Sequence, residues 1–311
     1  MTPIMDQHRA AAELGGDDQV PDFSIITASY NMCAYLPRCA ASVRDQRGVS
    51  VEHLVLDGAS TDGTVEWLTE HGTVFDPRQG PQRSGLSFDS RPDKGMYDAL
   101  NRGFSLARGR YVAWLNCDEQ YLEGTLAFVA AYFDTHPEVD ILFGSALLLD
   151  PDGGLISDRR SYPLRKCYLA TSHLYNLSCA TFFRGYVWRT GLRFDPAFKS
   201  LGDHDLFLRA LDKGYRTGHT QRSLAAFTFT GKNLSWGEGA RTEAARLAAQ
   251  APFWMRFLRL PLNAVRLLEK SWHGGYCRRT VRYAVHMPGA AGRTAVEVTR
   301  APIDWPEDTY A

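Results

Sequence analysis

Phe23-Ser24-Ile25-Ile26-Thr27-Ala28-Ser29-Tyr30-Asn31 is the stretch that decides the fold. A short β-prone run, Phe23 to Thr27, gives way at once to polar, turn-forming residues. The same form returns twice. Val51-Glu52-His53-Leu54-Val55-Leu56 runs into Asp57-Gly58-Ala59-Ser60-Thr61-Asp62-Gly63, and Tyr111-Val112-Ala113-Trp114-Leu115 runs into Asn116-Cys117-Asp118-Glu119. Helical segments fall between these runs. Ala34–Gln46 tolerates Pro37 in its first turn; Asp62–His71 follows the N-cap candidates Ser60 and Thr61 and is closed by Gly72; Met96–Ala107 is closed by Gly109. Strands alternating with helices of about a dozen residues predict an α/β protein with a mainly parallel, Rossmann-like sheet and helices on both faces. Ligands of such sheets bind beyond the carboxyl ends of the strands. All three ends here carry small, polar or acidic residues suited to a polar ligand.

The chain has 311 residues, enough for one large domain or two small ones at roughly 100–200 residues each. Hydrophobic residues at 44% and charged residues at 23% exclude a disordered, collagenous or coiled-coil chain. The 35 basic and 35 acidic residues cancel, which argues against a nucleic-acid binder. The cancellation is uneven: residues 1–235 carry 24 basic and 28 acidic side chains, residues 236–311 carry 11 and 7. Six scattered cysteines without a CxxC pair read as reduced thiols of a cytosolic protein. Asp6, Arg9, Glu13, Asp17 and Asp18 interrupt any apolar leader. The longest apolar run, Ile141 to Leu149, is about half of the roughly 18–20 residues that cross a bilayer. A cytoplasmic protein is expected, at most resting on the inner face of the plasma membrane.

Residues 1–21 read as a mobile tail, 22–120 as a nucleotide-binding half and 121–235 as an acceptor half. In the acceptor half, Asp150-Pro151-Asp152-Gly153 joins Val139–Leu149 to Gly154–Arg159 as a hairpin. Cys179–Arg184 and Leu224–Thr230 are further strand candidates, and Asp205–Lys213 is a helix closed by Gly214. Residues 236–311 read as a basic, amphipathic helical extension. No GxxxxGK[ST] string occurs, which speaks against a P-loop NTPase. Gly237-Glu238-Gly239, with Thr242 at the sixth position and no βαβ context, reads as a loop.

Phe23 to Asn31, Asp57-Gly-Ala-Ser-Thr-Asp-Gly-Thr64, Pro92-Asp-Lys-Gly-Met-Tyr-Asp-Ala-Leu-Asn101 and Trp114-Leu-Asn-Cys-Asp-Glu119 occur in this order. Together with Gly202-Asp-His-Asp-Leu-Phe-Leu-Arg209 they resemble the inverting glycosyltransferases of family 2, in their bacterial polysaccharide branch, over residues 22–235. The resemblance implies a GT-A fold and transfer from a nucleoside diphosphate sugar, a UDP-sugar above all. Five motifs in order and spacing carry it, since each alone is weak.

Transfer of this kind expels a diphosphate whose charge must be neutralised, a task for a divalent metal, Mn²⁺ or Mg²⁺, held by one or two carboxylates. Asp118 suits that task and corresponds to the last Asp of the family's Asp-x-Asp motif. Asn116 stands where the first Asp is usual and Glu119 where a further Asp is common. Thr27, Ser29 and Tyr30 are expected to line the base and ribose, with Asn116 and Cys117 at the next strand end. Asp57 is expected to accept from a base N–H, as the resemblance also implies. Ser60-Thr61-Asp62 reads better as a helix cap. Lys94 offers a point charge to a phosphate, or is a solvated lysine. Asp98 and Asn101 share one helix face.

An inverting transferase needs one carboxylate to take the acceptor proton. The resemblance assigns this to Asp203, with Asp205 a helix-start acid and His204 turned away. Tyr162, Tyr175, Trp188 and Trp236 are candidate stacking platforms for an acceptor sugar, against the ordinary reading of core aromatics.

In 252–286, seven basic residues stand against Glu269 alone. Arg256, Arg259, Asn263, Arg266 and Lys270 fall on one helical face; Trp254, Phe257, Leu258, Leu262, Val265 and Leu268 fall on the other, with Pro261 expected to kink the helix. Two readings stand: the apolar stripe packs on the catalytic body or on a second copy in a homo-oligomer, or it rests on a membrane. The leading expectation is a hexosyltransferase that moves a sugar to a glycan or lipid-linked hydroxyl. A sugar-1-phosphate nucleotidylyltransferase, or an inactive nucleotide-sugar-binding subunit, is the alternative.

Overall fold

The computed structural model describes residues 20–75, 85–230 and 238–305. Trp236 and most of the expected tail lie outside these. In the first half, β1 (Phe23–Ser29), β2 (Val51–Asp57), β3 (Thr73–Val74), β4 (Gly85–Ser90) and β5 (Tyr111–Trp114) run parallel, in the spatial order β3-β4-β2-β1-β5. Helices α1 (Leu36–Arg44), α2 (Thr64–His71) and α3 (Met96–Leu106) lie between them in sequence. The second half adds β6 (Glu119–Tyr121), α4 (Thr125–Thr135), β7 (Ile141–Leu149), β8 (Leu155–Arg159), α5 (Lys166–Thr171), β9 (Thr181–Arg184), α6 (Gly185–Arg189), α7 (Gly202–Asp212) and β10 (Thr217–Thr228). The sheet continues β5-β9-β7-β10-β6, with β9 antiparallel to both neighbours and β8 paired to β7. It is a mixed, mostly parallel α/β sheet, as the sequence led us to expect.

Every residue of β1 but Ala28 is buried, the mark of a parallel strand covered on both faces. Ile26, Leu54, Leu56 and Trp114 face α3, and Phe23, Ile25, Ala113 and Leu115 face α1 and α4. Gly103 lets α3 sit on the sheet, since a Cβ there would lie 2.4 Å from Ile26 Cγ2. Trp188 stacks on Phe104 with ring centroids 3.5 Å apart, and Tyr162 stacks on Tyr175 at 4.3 Å. All three expected platform residues are therefore core, not platform. Burial of these large rings in the hydrophobic core outweighs their sugar-stacking ability.

The tail departs further from its reading. Helices α8 (Glu238–Gln250), α9 (Phe253–Phe257) and α10 (Arg259–Trp272) are followed by an antiparallel hairpin, β11 (Val281–His286) and β12 (Arg293–Val298), so the extension is not helical throughout. The alternation of Val281, Tyr283 and Val285 is the strand signal that a helical reading missed. The expected kink at Pro261 is a break at Leu258; Pro261, which has no N–H to donate, falls in the first turn of α10.

Candidate functional site

The loops after β1 and β2 are tied together by side chains. Asn31 and Ala59 adopt left-handed backbone, with φ of 52° and 63°, and neither is glycine. Cross-bonds hold this strained pair: Asn31 N–H donates to Ser60 Oγ at 2.7 Å, and Thr61 N–H donates to Asn31 Oδ1 at 2.9 Å. Ser60 thus serves the strand ends. Asp62, just before the N-cap Gly63, accepts from Thr64 N–H at 3.2 Å and from Cys33 N–H at 2.9 Å.

Asp57 lies at the centre of this brace. It accepts from Ser60 N–H at 2.9 Å, Ser60 Oγ at 2.5 Å and Ser90 Oγ at 2.7 Å, and no part of it is exposed. Its Oδ2 joins β2 to β4 through Ser90, and its Oδ1 holds the loop at Ser60. Thr27 is sealed as well: its hydroxyl donates to Leu115 carbonyl at 2.7 Å and lies 2.9 Å from His53 Nε2. It stitches β1 to its neighbours and has no face toward a ligand. Tyr30, by contrast, is largely exposed, and its ring lies over Gly58: a Cβ there would stand 3.2 Å from the ring and 3.1 Å from Asp93 Oδ2. Asp93, absent from the sequence expectations, caps its own turn by accepting from Gly95 N–H at 2.7 Å.

The end of β5 completes the floor. Cys117 is buried beside Ser29 and donates to Ala28 carbonyl at 3.4 Å. Glu119 accepts from Asn116 N–H at 2.7 Å and Asn116 Nδ2 at 3.1 Å. This leaves Asn116 Oδ1 buried without a hydrogen-bond partner among the described residues. Burial pushes the Asp118 and Glu119 carboxyls up, Glu119 also through the Asp118 charge. The end of β5 thus carries three oxygen-bearing side chains, Asn116, Asp118 and Glu119. Among the described residues no three His, Cys, Asp or Glu side chains gather into a ready-made metal cage.

Asp203 comes from the other side, in the first turn of α7. Burial raises it to about 6, opposed by the His204 N–H that donates to its Oδ1 at 2.8 Å. His204 turns away and bonds Leu169 carbonyl through Nε2 at 3.0 Å. Asp205 pairs with Arg209 at 2.6 Å, a helix-start ion pair. Asn101 spends both ends of its amide on the Phe194 backbone, at 2.9 and 3.0 Å, so it positions the chain leading to α7. Lys94 is exposed, and its carbonyl accepts from Lys199 Nζ at 3.0 Å.

Two residues that sequence reasoning did not find hold α7 in place. Tyr97 Oη accepts from Gly202 N–H at 2.9 Å and donates to Ser200 carbonyl at 3.1 Å. Glu243, on α8, accepts three backbone N–H groups, from Lys199, Ser200 and Leu201, at 2.6, 3.0 and 2.8 Å. Tyr97 lies inside a quoted motif and could have been named; Glu243 has no local signal.

The chain is similar to known proteins in sequence and in fold. The family model described as glycosyl transferase family 2 matches residues 24–201. A "PGL/p-HBAD biosynthesis glycosyltransferase" of Mycobacterium tuberculosis (strain ATCC 25618 / H37Rv) is 30% identical over 61% of this chain and 69% of its own length. The chondroitin synthase of Escherichia coli is 26% identical over 63% of this chain but only 27% of its own. In fold, the chain is similar to crystal structures of S. aureus TarS. The one in complex with UDP-GlcNAc superposes with a TM-score of 0.56 at 16% identity, covering 89% of this chain and 99% of that one. A longer TarS structure is spanned over 60% of its length. The chain belongs to glycosyl transferase family 2.

Proposed function

We propose that the protein is a metal-dependent inverting transferase that moves a sugar from a UDP-sugar to a hydroxyl of a glycan or lipid-linked acceptor. The observation that carries this reading is the bond of Tyr97 Oη to Gly202 N–H at 2.9 Å, which ties the first turn of α7, with the buried Asp203, to the helix that follows the end of β4. Tyr30, exposed over Gly58, offers a face for the base. Asp118 would hold the cation, with Asn116 Oδ1 as a neutral second oxygen, a hard donor set that suits Mg²⁺ or Mn²⁺ when substrate phosphates supply the rest. Such a cation supplies the charge that offsets the departing diphosphate. Asp203 receives the acceptor proton as the new C1–O bond forms and the C1–O–phosphate bond breaks from the opposite face. A carboxylate raised to about 6 is ionised at neutral pH yet basic enough for that step.

The name of the TarS complex, with UDP-GlcNAc, supports a UDP donor. A thermal-shift screen with Mn²⁺ and UDP-, GDP- and dTDP-sugars tests it. Stabilisation by a UDP-sugar, dependent on Mn²⁺ and stronger than by the GDP or dTDP compounds, is expected. Preference for another base overturns the donor assignment.

A further inference from the structure

Helix α10 is mounted with its polar face inward. Arg266 is only 7% exposed and donates to Tyr162 Oη at 2.9 Å, and Glu269 accepts from Arg165 Nη2 at 2.6 Å. Large apolar side chains are left outside on α9 and α10: Phe253 is 80% exposed and Phe257 78%, with Trp254 beside them, and on α10 Leu260 is 82%, Leu268 70% and Trp272 90% exposed. Soluble helices do the reverse, because an exposed apolar stripe forfeits the main gain of folding. Of the stripe expected to pack on the catalytic body, Leu262 does so, whereas Trp254, Phe257, Leu258, Val265 and Leu268 are exposed. A contiguous run of such large side chains marks an interaction surface.

We infer that the α9–α10 face docks on an anionic phospholipid bilayer. Charge complementarity selects this occupant. Arg256 and Arg259 are exposed next to Phe257 and Leu260 in the chain, and neither has an ion-pair partner among the described residues; Arg278, also exposed, pairs with Asp304 at 3.5 Å. The one acid of 252–286, Glu269, is already paired to Arg165. Phe and Trp on one side with arginines at the margin suit a helix lying at the headgroup boundary. No described helix is long and apolar enough to cross a membrane, and α10, about 21 Å long at its 14 residues, is built to lie flat.

The position of the patch adds a consequence. Helices α8, α9 and α10 all pack against α5, and α5 packs against α7, whose first turn carries Asp203. Met255, Leu208 and Leu262 join these helices through one apolar cluster. Docking therefore tethers the helix that carries Asp203 to the bilayer through α5, which would suit a lipid-linked acceptor. This last step rests on the transferase reading; the docking itself does not.

Vesicle co-sedimentation of the full chain tests the docking, using phosphatidylcholine alone and phosphatidylcholine with phosphatidylglycerol. Wild type is expected to sediment with the anionic vesicles. Phe257→Ser combined with Trp272→Ser should weaken partitioning by about tenfold or more. Arg256→Glu with Arg259→Glu should lose a similar factor on anionic vesicles alone. Both variants change exposed side chains, so an unchanged melting temperature and unchanged UDP-sugar binding show that the fold and the donor site persist. Equal sedimentation of wild type and both variants overturns the proposal. So does a light-scattering dimer that Phe257→Ser/Trp272→Ser dissolves without any vesicle binding, which would assign the face to a second copy of the chain.

Discussion

Tyr97 and Gly202 are bound to each other across the site: the tyrosine oxygen takes the Gly202 N–H at 2.9 Å, and a Cβ on Gly202 would lie 2.6 Å from the ring. The contact joins the helix after the Pro92-Asp93-Lys94-Gly95 turn to the residue before Asp203. The two motifs that follow β4 and precede α7 are therefore one mechanical unit. Tyr97→Phe removes both hydrogen bonds and keeps the ring. We expect kcat to fall about tenfold, with KM for the donor little changed, because catalysis is more sensitive than binding to small misplacement. Steady-state kinetics of UDP release check this; a change confined to KM contradicts it. Gly202→Ala forces the ring aside and should be the more damaging of the two.

Asp203 is costly to the fold. Its carboxyl titrates at about 6 in the folded protein against an ordinary 3.8, so the folded state binds the proton more tightly than the unfolded one. The stability cost is fully present above about pH 6 and disappears as pH falls below about 4. Asp203→Asn, which keeps the acceptor for His204 N–H, should raise the melting temperature by roughly 2–4 °C at neutral pH and by little near pH 4. The same variant should abolish transfer. For wild type, kcat/KM should fall with decreasing pH through about 6, as the base takes up its proton. A variant less stable at neutral pH would contradict the account.

Asp118→Ala should remove the Mn²⁺-dependent part of UDP-sugar stabilisation in thermal shift and leave the metal-free melting temperature unchanged or higher, since a desolvated carboxyl has been deleted. Asn116→Asp restores the usual first acid and should tighten metal binding, read as a lower Mn²⁺ concentration at half-activity. No shift in that concentration would detach Asn116 from the metal.

The buried Glu52 is a structural counterpart with no part in the chemistry. It is wholly buried, accepts from Ser24 Oγ and from Arg108 N–H at 2.8 Å, and pairs with Arg108 Nη2 at 2.9 Å. Arg108→Met leaves the carboxylate without its cation and should cost about 2–4 kcal/mol in denaturant unfolding. UDP-sugar affinity at the folded plateau should not move.

The strand ends were legible because they are local: a β-prone run followed by Ser29-Tyr30-Asn31 or Asn116-Cys117-Asp118 states both the element and the direction of its side chains. Asp118, Asp203 and the mainly parallel sheet came from that pattern and from family resemblance. Strand β4 escaped, since Gly85-Leu-Ser-Phe-Asp-Ser90 is too polar to announce itself and owes its place to pairing with β2. Thr27 and Asp57 looked like ligand residues because their types suit ligands. Whether a hydroxyl or carboxylate is already spent on a neighbouring strand is a tertiary fact. Glu243 is the clearest case: it clamps Lys199, Ser200 and Leu201 from 42–44 residues away. For α9 and α10 the two faces divide differently from the sequence reading, since Arg256 and Arg259 are exposed while Arg266 is buried and Leu262 packs inward; the difference depends on the polar partners Tyr162 and Arg165, which no periodicity reveals.

UDP release from UDP-sugars in the presence of Mn²⁺, compared between wild type, Asp118→Ala and Arg108→Met, tests the central claim most directly. The account predicts slow release by wild type, release reduced to background in Asp118→Ala, and release per folded molecule close to wild type in Arg108→Met. Release by Asp118→Ala equal to wild type, or none by wild type from any UDP-sugar, would contradict it.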